Sequence, residues 1–185
     1  MHPRDLIALL PNRQVEKGEV LLHQGDVASH AYIVVHGCLR SFVTDAQGKE
    51  HILQFSPEGW VAADLKSLVR QVPAVHSIDA LEPTQVALMN DASTAELENA
   101  DVAWLRAHIH GLRNRVIVLT DRIAHLLASD ARTRYLDFVQ TYPSLVQRLP
   151  QKLIAAYLGI TPESLSRVRR QLVEQEKAAA QKGSR

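Results

Sequence analysis

The chain has 185 residues, of which 46% are hydrophobic and 22% are charged, and its formal net charge is +1. This length suits one large domain or two small ones. No apolar run approaches the roughly 18 residues of a membrane span, and the apolar patch near the start, broken by Pro11, is too short for a secretory signal. The one cysteine, Cys38, excludes an internal disulfide and a cluster held by four thiolates. We therefore expect a cytoplasmic protein.

The first part of the chain, to about Leu88, has the pattern of short β-strands. Segments rich in Val, Ile, Leu, Phe and Tyr, at residues 17–26, 31–45 and 49–63, alternate with turn signals. Their regular spacing is typical of a sandwich or barrel. DAQGK, residues 45–49, predicts a hairpin turn. Two further short strands are predicted on either side of Glu82-Pro83. The turn signals include Gly18, Gly25, Gly37, Gly48 and Gly59.

A long helix is predicted from about Ala95 to Ser129. Its apolar residues alternate spacings of three and four, which is a heptad pattern with a period of 3.5 residues. So narrow a stripe has to be buried, either on the chain's own β-domain or on a second copy of the helix. The strict period favours a parallel homodimer. The stripe consists of Val102, Leu105, Ile109, Leu112, Val116, Leu119, Ile123 and Leu126.

The last part of the chain is basic and helical. Residues 131–185 contain ten Lys and Arg against four Asp and Glu, whereas the rest of the chain contains eleven against sixteen. This asymmetry favours a basic module that meets a polyanion, although ordinary solvated charge is the alternative. Ser129-Asp130 is a plausible N-cap pair for a helix that ends near Pro143.

The stretch LIAAYLGITPESLSRVRRQL, residues 153–172, predicts two helices joined by a three-residue turn. Gly159 stands at the bend, where a left-handed backbone favours glycine. Thr161 is a good N-cap, Pro162 is a good first helical residue, and Ala155 is small enough for two helices to cross closely. A plain helical hairpin in a core would explain the apolar positions but not the arginines.

The second helix of this pair has an apolar side and a polar side. At 100° per residue, Leu165, Val168 and Leu172 cluster together. The opposite side has a carboxylate and arginines, which can accept from cytosine N4 and donate to guanine O6 and N7 in a major groove. The alternatives are a helix-dipole role for Glu163 and either solvation or plain phosphate attraction for Arg169 and Arg170. The predicted DNA-binding residues are Thr161, Glu163, Ser164, Ser166, Arg167, Arg169 and Arg170.

The chain as a whole resembles the Crp/Fnr family of bacterial transcription regulators. The resemblance covers nearly the whole chain and is carried by KGEVLLHQGD (17–26), YIVVHGCLR (32–40) and GITPESLSRVRRQL (159–172). It implies an α+β fold with a β jelly roll of the cyclic-nucleotide-binding type over residues 1–94. A dimerisation helix over 95–128 and a helix-turn-helix DNA-binding domain over 129–185 would follow. It also implies that Glu163 and Arg167, four residues apart, read bases.

Three features depart from the family pattern. The family's nucleotide loop has Gly-Glu and, about ten residues on, Arg followed by Ser, Thr or Ala, whereas Ala63-Asp64 and Ala74-Val75 stand here. One cysteine cannot hold the iron–sulfur cluster of the oxygen-sensing branch. The segment VEQEKAAAQKGSR predicts that the second helix continues and frays before Gly183, in place of a β-hairpin wing. The effector-pocket candidates are Trp60, Ala63, Asp64, Arg70, Ala74 and Val75.

These observations predict a homodimer that binds a palindromic operator in double-stranded DNA without cAMP, a metal or another cofactor. The resemblance adds RNA polymerase and an unidentified small-molecule effector as partners. The alternatives are a cyclic-nucleotide-responsive activator with an unusual phosphate loop and an interaction protein whose basic tail binds an acidic partner. A histidine-metal enzyme is not expected, because the one His-x-His, at 108–110, lies in the long helix, where residues two apart point to different sides.

Overall fold

The computed structural model describes residue 7, residues 10–90, 92–93 and 95, and residues 102–183. The chain splits into two compact units, Met1–Arg115 and Val116–Arg185. None of the helices within the described residues is both long and apolar enough to span a membrane.

The first unit is built from eight strands in two antiparallel sheets. The strand order is β1-β8-β3-β6 in one sheet and β2-β7-β4-β5 in the other. Seven of these strands fall in segments that the sequence predicts, and β1 precedes them unpredicted. The strands are β1 (Asn12–Val15), β2 (Val20–Leu22), β3 (Ala31–His36), β4 (Leu39–Thr44), β5 (Glu50–Ser56), β6 (Val61–Ala62), β7 (Ser77–Ala80) and β8 (Thr84–Met89).

The apolar side chains of the strands form the core of this unit. Val15, Leu39, Ile78 and Val86 are each at most 2% exposed, and burying such a side chain contributes about 1.5–3 kcal/mol. The tight passage from β3 to β4 needs Gly37, which has a φ of +95° and whose added Cβ would lie 2.5 Å from a threonine hydroxyl. The predicted hairpin turn at residues 45–49 is confirmed, with the Gly48 amide donating to the Asp45 carbonyl.

A short helix, α1 (Leu65–Arg70), lies between β6 and β7, where the sequence predicts none. Six residues are too few to produce a helical periodicity in the sequence. Its first turn is held by Asp64, whose carboxylate accepts a hydrogen bond of 2.9 Å from the Ser67 amide. Its last turn ends at Gln71, which has a left-handed φ of 51°.

The predicted long helix is present as α2 (Val102–Ala128); of the earlier start that the sequence predicts, residues 96–101 lie outside the described part. Six of the eight stripe residues are 39–64% exposed, and Leu105 and Leu119 are half-buried. Within the first unit, the helix is instead anchored by Trp104, which is 4% exposed and belongs to the β-sheet core. The described residues of this chain therefore leave most of the stripe uncovered.

The second unit contains the end of α2 and four further helices. They are α3 (Ala131–Thr141), α4 (Leu145–Arg148), α5 (Gln151–Leu158) and α6 (Pro162–Gly183). The predicted N-cap is confirmed, because the Asp130 carboxylate accepts a hydrogen bond of 2.8 Å from the Thr133 amide. α6 continues through Gly183 instead of fraying before it, since its sequence after Leu172 is strongly helix-forming. The α+β fold class is confirmed.

Candidate nucleic-acid interface and effector loop

The turn between α5 and α6 has the local chemistry that the sequence predicts. Gly159 adopts a left-handed backbone with φ 66° and ψ 34° and ends α5. The hydroxyl of Thr161 accepts a hydrogen bond of 3.2 Å from the Ser164 amide, which caps α6, and Pro162 is the first residue of that helix. Three residues, 159–161, therefore set the crossing of the two helices.

The apolar side of the α5–α6 pair is buried inside the second unit. Ile154 and Ala155 are each 1% exposed, Leu165 is fully buried, and Val168 is 7% exposed. The side chain of Arg134, on α3, donates a hydrogen bond of 2.8 Å to the Leu158 carbonyl at the end of α5. This packing leaves the polar side of α6 for a partner.

The predicted DNA-binding residues separate into two groups by exposure. Ser164, which follows the cap residue Thr161, is half-buried, and so is Arg169, which borders the apolar side of α6. The other five are exposed and share the outer side of α6 and its N-terminus: Thr161, Glu163, Ser166, Arg167 and Arg170. The outer group combines one carboxylate with two guanidinium groups, a set that can recognise base edges in a major groove.

The carboxylate at the start of α6 is held in its charged form. Hydrogen bonds from the Glu163 backbone amide and from Thr161 lower the pKa of Glu163, and the nearby positive charge of Arg167 lowers it further. A charged Glu163 accepts hydrogen bonds and donates none. It therefore favours a donor such as the amino group of cytosine over an acceptor.

The effector loop, residues 63–75, contains five of the six effector-pocket candidates and is held by hydrogen bonds from its own side chains. Asp64, 3% exposed, accepts hydrogen bonds from the Ser67 amide at 2.9 Å and from the Val75 amide at 2.8 Å. Ser67, also buried, accepts from the Ala28 amide and donates to the Val72 carbonyl. The Asp64 carboxylate, which replaces the glutamate of the family's nucleotide loop, therefore already bonds to both ends of the loop.

The other effector-pocket candidates, in or near this loop, differ in their solvent exposure. Ala63 and Ala74 are buried, Trp60 is half-buried, and Arg70 and Val75 are exposed. Arg70 is the last residue of α1. Neither alanine nor valine offers a side-chain hydrogen-bond donor to an anion.

A buried histidine, His76, lies against this loop. His76 Nδ1 is 3.3 Å from Asp64 Oδ2, and its Nε2 is buried without a hydrogen-bond partner among the described atoms. Burial lowers the pKa of His76, the Asp64 carboxylate opposes this, and the positive charge of Arg115 lowers it further. Arg115, on α2, donates to the Ala63 carbonyl at 3.0 Å. Only its position immediately after the loop could have indicated His76 from the sequence.

We expect His76 to make the folded state less stable below neutral pH. Its pKa is lowered from the value of 6.5 that applies to the unfolded chain, so the unfolded state binds a proton first. The stability associated with neutral His76 is complete above pH 6.5 and is lost as the pH falls below it. Urea unfolding at pH 7.5, 6.5 and 5.5 should show a shallower pH dependence for His76→Gln than for the wild type. Parallel pH dependences would show that the protonation of His76 is not resisted by the fold.

Comparisons with known proteins agree with this architecture. Residues 12–101 match the cyclic nucleotide-binding domain family. A probable transcriptional regulator, flp, of Lacticaseibacillus casei is 32% identical, over 91% of this chain and 78% of that protein. A solved structure of a Crp/Fnr-family transcriptional regulator from Thermus thermophilus superposes with a TM-score of 0.68 at 18% identity, covering 89% of this chain and 87% of that one.

The chain belongs to the Crp/Fnr family of transcription regulators. FixK2 from Bradyrhizobium japonicum shares the fold with a TM-score of 0.75 at 22% identity, over 91% of this chain and 86% of that one. The resemblance that the sequence indicates is therefore confirmed. The hydrogen-bonded loop at Asp64 and the exposed polar side of α6 are the two features that bear on its function.

Proposed function

We propose that this Crp/Fnr chain is a cytoplasmic, homodimeric transcription regulator that binds a palindromic site in double-stranded DNA and does not depend on cAMP. The observation that carries the proposal is the outer side of α6, where Glu163, Ser166, Arg167 and Arg170 are all exposed while the apolar side is buried. The similarity to a transcriptional regulator supports the same conclusion.

The proposed role of each part of the chain follows the domain boundaries predicted from the sequence. Residues 1–94 form the effector or sensor domain, 95–128 the dimerisation helix, and 129–185 the DNA-binding domain. The excess of positive charge in residues 131–185 supplies affinity for phosphates of any sequence. Glu163, Ser166 and Arg167 supply the discrimination between bases.

Dimerisation is supported by the exposure of the heptad stripe. Val102, Val116 and Ile123 are each about 60% exposed, and apolar side chains repeated at a period of 3.5 are buried when two helices pack as a coiled coil. A second copy of α2 has the matching stripe by symmetry. RNA polymerase and an effector other than a cyclic nucleotide are further partners that family membership suggests.

Selection of bound sequences from a random duplex pool tests the proposal. We expect a palindrome whose half-site centres are one helical turn, roughly 34 Å, apart. Binding to the selected duplex should weaken steeply with salt, and a scrambled duplex of equal composition should bind far more weakly. Failure to enrich any sequence, combined with tight binding to an acidic protein partner, would favour the interaction-protein alternative.

We expect no binding of cAMP or cGMP at physiological concentrations. A buried cyclic phosphate needs charge-assisted donors, yet Ala74 and Val75 provide no side-chain donor, and Asp64 already accepts from the Val75 amide at 2.8 Å. A second negative charge beside the Asp64 carboxylate would also be repelled. Calorimetry with each nucleotide measures this directly.

A dissociation constant of about 10 micromolar or tighter, equivalent to roughly −7 kcal/mol, would contradict the expectation and favour the cyclic-nucleotide-responsive alternative. Arg70→Ala then serves as the deciding variant, because Arg70 is the arginine closest in sequence to the missing position. Loss of nucleotide binding in that variant would identify it as the substitute phosphate ligand. DNA affinity measured with and without nucleotide completes the test.

A further inference from the structure

The last turns of α2 contact the α5–α6 pair through an arginine and an aromatic ring. The guanidinium carbon of Arg122 lies 3.5 Å from the centre of the Tyr157 ring. A flat guanidinium group over an aromatic face is attracted electrostatically and stacks well. The sequence gives no sign of this contact, because Arg122 is one of several polar residues beside the heptad stripe.

The ring under Arg122 is rigidly supported. Tyr157 is 3% exposed, packs edge-on against Tyr142 with ring centres 5.7 Å apart, and is tilted against Phe138 at 5.6 Å. The ring therefore cannot move without disturbing the core of the second unit. A side chain that stacks on it is tied to that core.

The contact lies at the base of the recognition elements. Tyr157 is in the last turn of α5, two residues before Gly159 and five before α6 begins. The Leu126 side chain reaches the same turn, 3.5 Å from the point where a Cβ on Gly159 would stand. Two side chains one turn apart on α2, Arg122 and Leu126, thus meet both the helix and the turn that set the position of α6.

A second polar pair near this contact is weaker. His125 Nδ1 is 3.4 Å from Asp137 Oδ2, and both side chains are about 30% exposed. That distance is long for a hydrogen bond, and ion pairs open to solvent contribute little. The Arg122–Tyr157 contact, over a ring that is 3% exposed, is the better shielded of the two.

We propose that Arg122 is a positioning residue that, by stacking on Tyr157, fixes the α5–α6 pair against the last turns of α2. In the dimer it thereby sets the separation of the two recognition faces on DNA. The part of this inference that concerns DNA rests on the proposed function; the part that concerns orientation does not. Arg122 touches no base in this role, so its replacement alters which half-site spacing is preferred and leaves the preferred bases unchanged.

The orientation can be tested without DNA. Spin labels at Asp121→Cys on α2 and Gln171→Cys on α6, both exposed positions, report the distance between the two helices, while native Cys38 is fully buried. Arg122→Gln should broaden the distance distribution, and Tyr157→Phe, which keeps an aromatic face, should not. Thermal unfolding of each variant confirms that it is folded. A folded Arg122→Gln with an unchanged distribution would overturn the inference.

The consequence for DNA is tested with palindromes whose half-sites are moved apart or together by one or two base pairs. We expect Arg122→Gln to lose about tenfold in affinity for the preferred spacing, because the pre-organisation of the two faces is lost. Affinity for the other spacings should fall less, so that affinity depends less on spacing. Arg122→Lys should give affinities between those of the wild type and Arg122→Gln. Equal losses at every spacing would also contradict the role. If the wild type binds no palindrome, the proposed function fails, but the spin-label distances still test whether Arg122 fixes the orientation of α6.

Discussion

Replacing Leu112 by glutamate is expected to convert the proposed dimer into monomers and to weaken binding to the selected palindrome by about a hundredfold or more. Leu112 is 39% exposed in the middle of the stripe, at a position where the two copies of a parallel coiled coil meet side by side. Two carboxylates would face each other in an apolar seam, and neither would have a partner. Because both half-sites then bind independently, the gain from linking them, typically about 10²–10⁴, is lost.

Light scattering at several protein concentrations measures the mass, and titration of the selected palindrome measures the affinity. The matched control is Asn114→Glu, which places the same charge two residues away at an exposed position on the outer side of the helix. It should remain dimeric and bind normally. A wild-type protein that is monomeric, or a Leu112→Glu protein that stays dimeric, would contradict the prediction that the heptad stripe of α2 forms the dimer interface.

The α5–α6 pair could be predicted from the sequence because its signals are local. Gly159, Thr161 and Pro162 each satisfy a backbone requirement within one or two turns, and the structure has the left-handed glycine and the threonine cap where the sequence predicts them. Exposure on α6 follows equally from helical periodicity. Each of these inferences depends on residues fewer than five positions apart.

The contacts that join separate elements could not be predicted, because their partners are distant in the sequence. Arg115 meets a carbonyl 52 residues earlier, Arg122 a ring 35 residues later, and Arg40 forms a buried bidentate pair with Asp79. In the sequence, the first two are polar residues beside an apolar stripe, typical of a solvated helix face. Long arginine side chains reach whichever acceptor or ring the fold places nearby.

The effector loop shows that a residue can stand out in the sequence for one reason and serve the fold for another. In the sequence Asp64 is a shortened counterpart of the family's glutamate, yet in the structure its carboxylate joins residue 67 to residue 75. Burial raises the pKa of Asp64, but hydrogen bonds from those two amides, together with the charge of His76 and the Lys66 amide, lower it overall. The carboxylate is thus a charged internal ligand of the loop, which supports a regulator that needs no external phosphate to order this segment.

The two exposed arginines of α6 should respond differently to replacement by alanine. Arg167 lies one turn after Glu163, near the start of the helix, where side chains enter a major groove most deeply. Arg170 lies almost one turn further on, where its guanidinium is 3.9 Å from Glu174, and is better placed for a phosphate. We expect Arg167→Ala to cost about 1–3 kcal/mol on the selected site, roughly 5- to 150-fold, and to relax preference at one base pair in each half-site.

Arg170→Ala, in contrast, should weaken the specific and the random duplex by similar factors. It should also reduce the slope of log affinity against log salt by about one for each phosphate that is no longer neutralised. Titrations of both variants on both duplexes at a series of salt concentrations separate the two effects. Arg132→Ala is a suitable control, because this exposed arginine on α3 already donates to Gln175 at 2.7 Å. If Arg167→Ala lost equal affinity for specific and random DNA, Arg167 would be a phosphate ligand, and base readout would have to rest on Glu163 and Ser166.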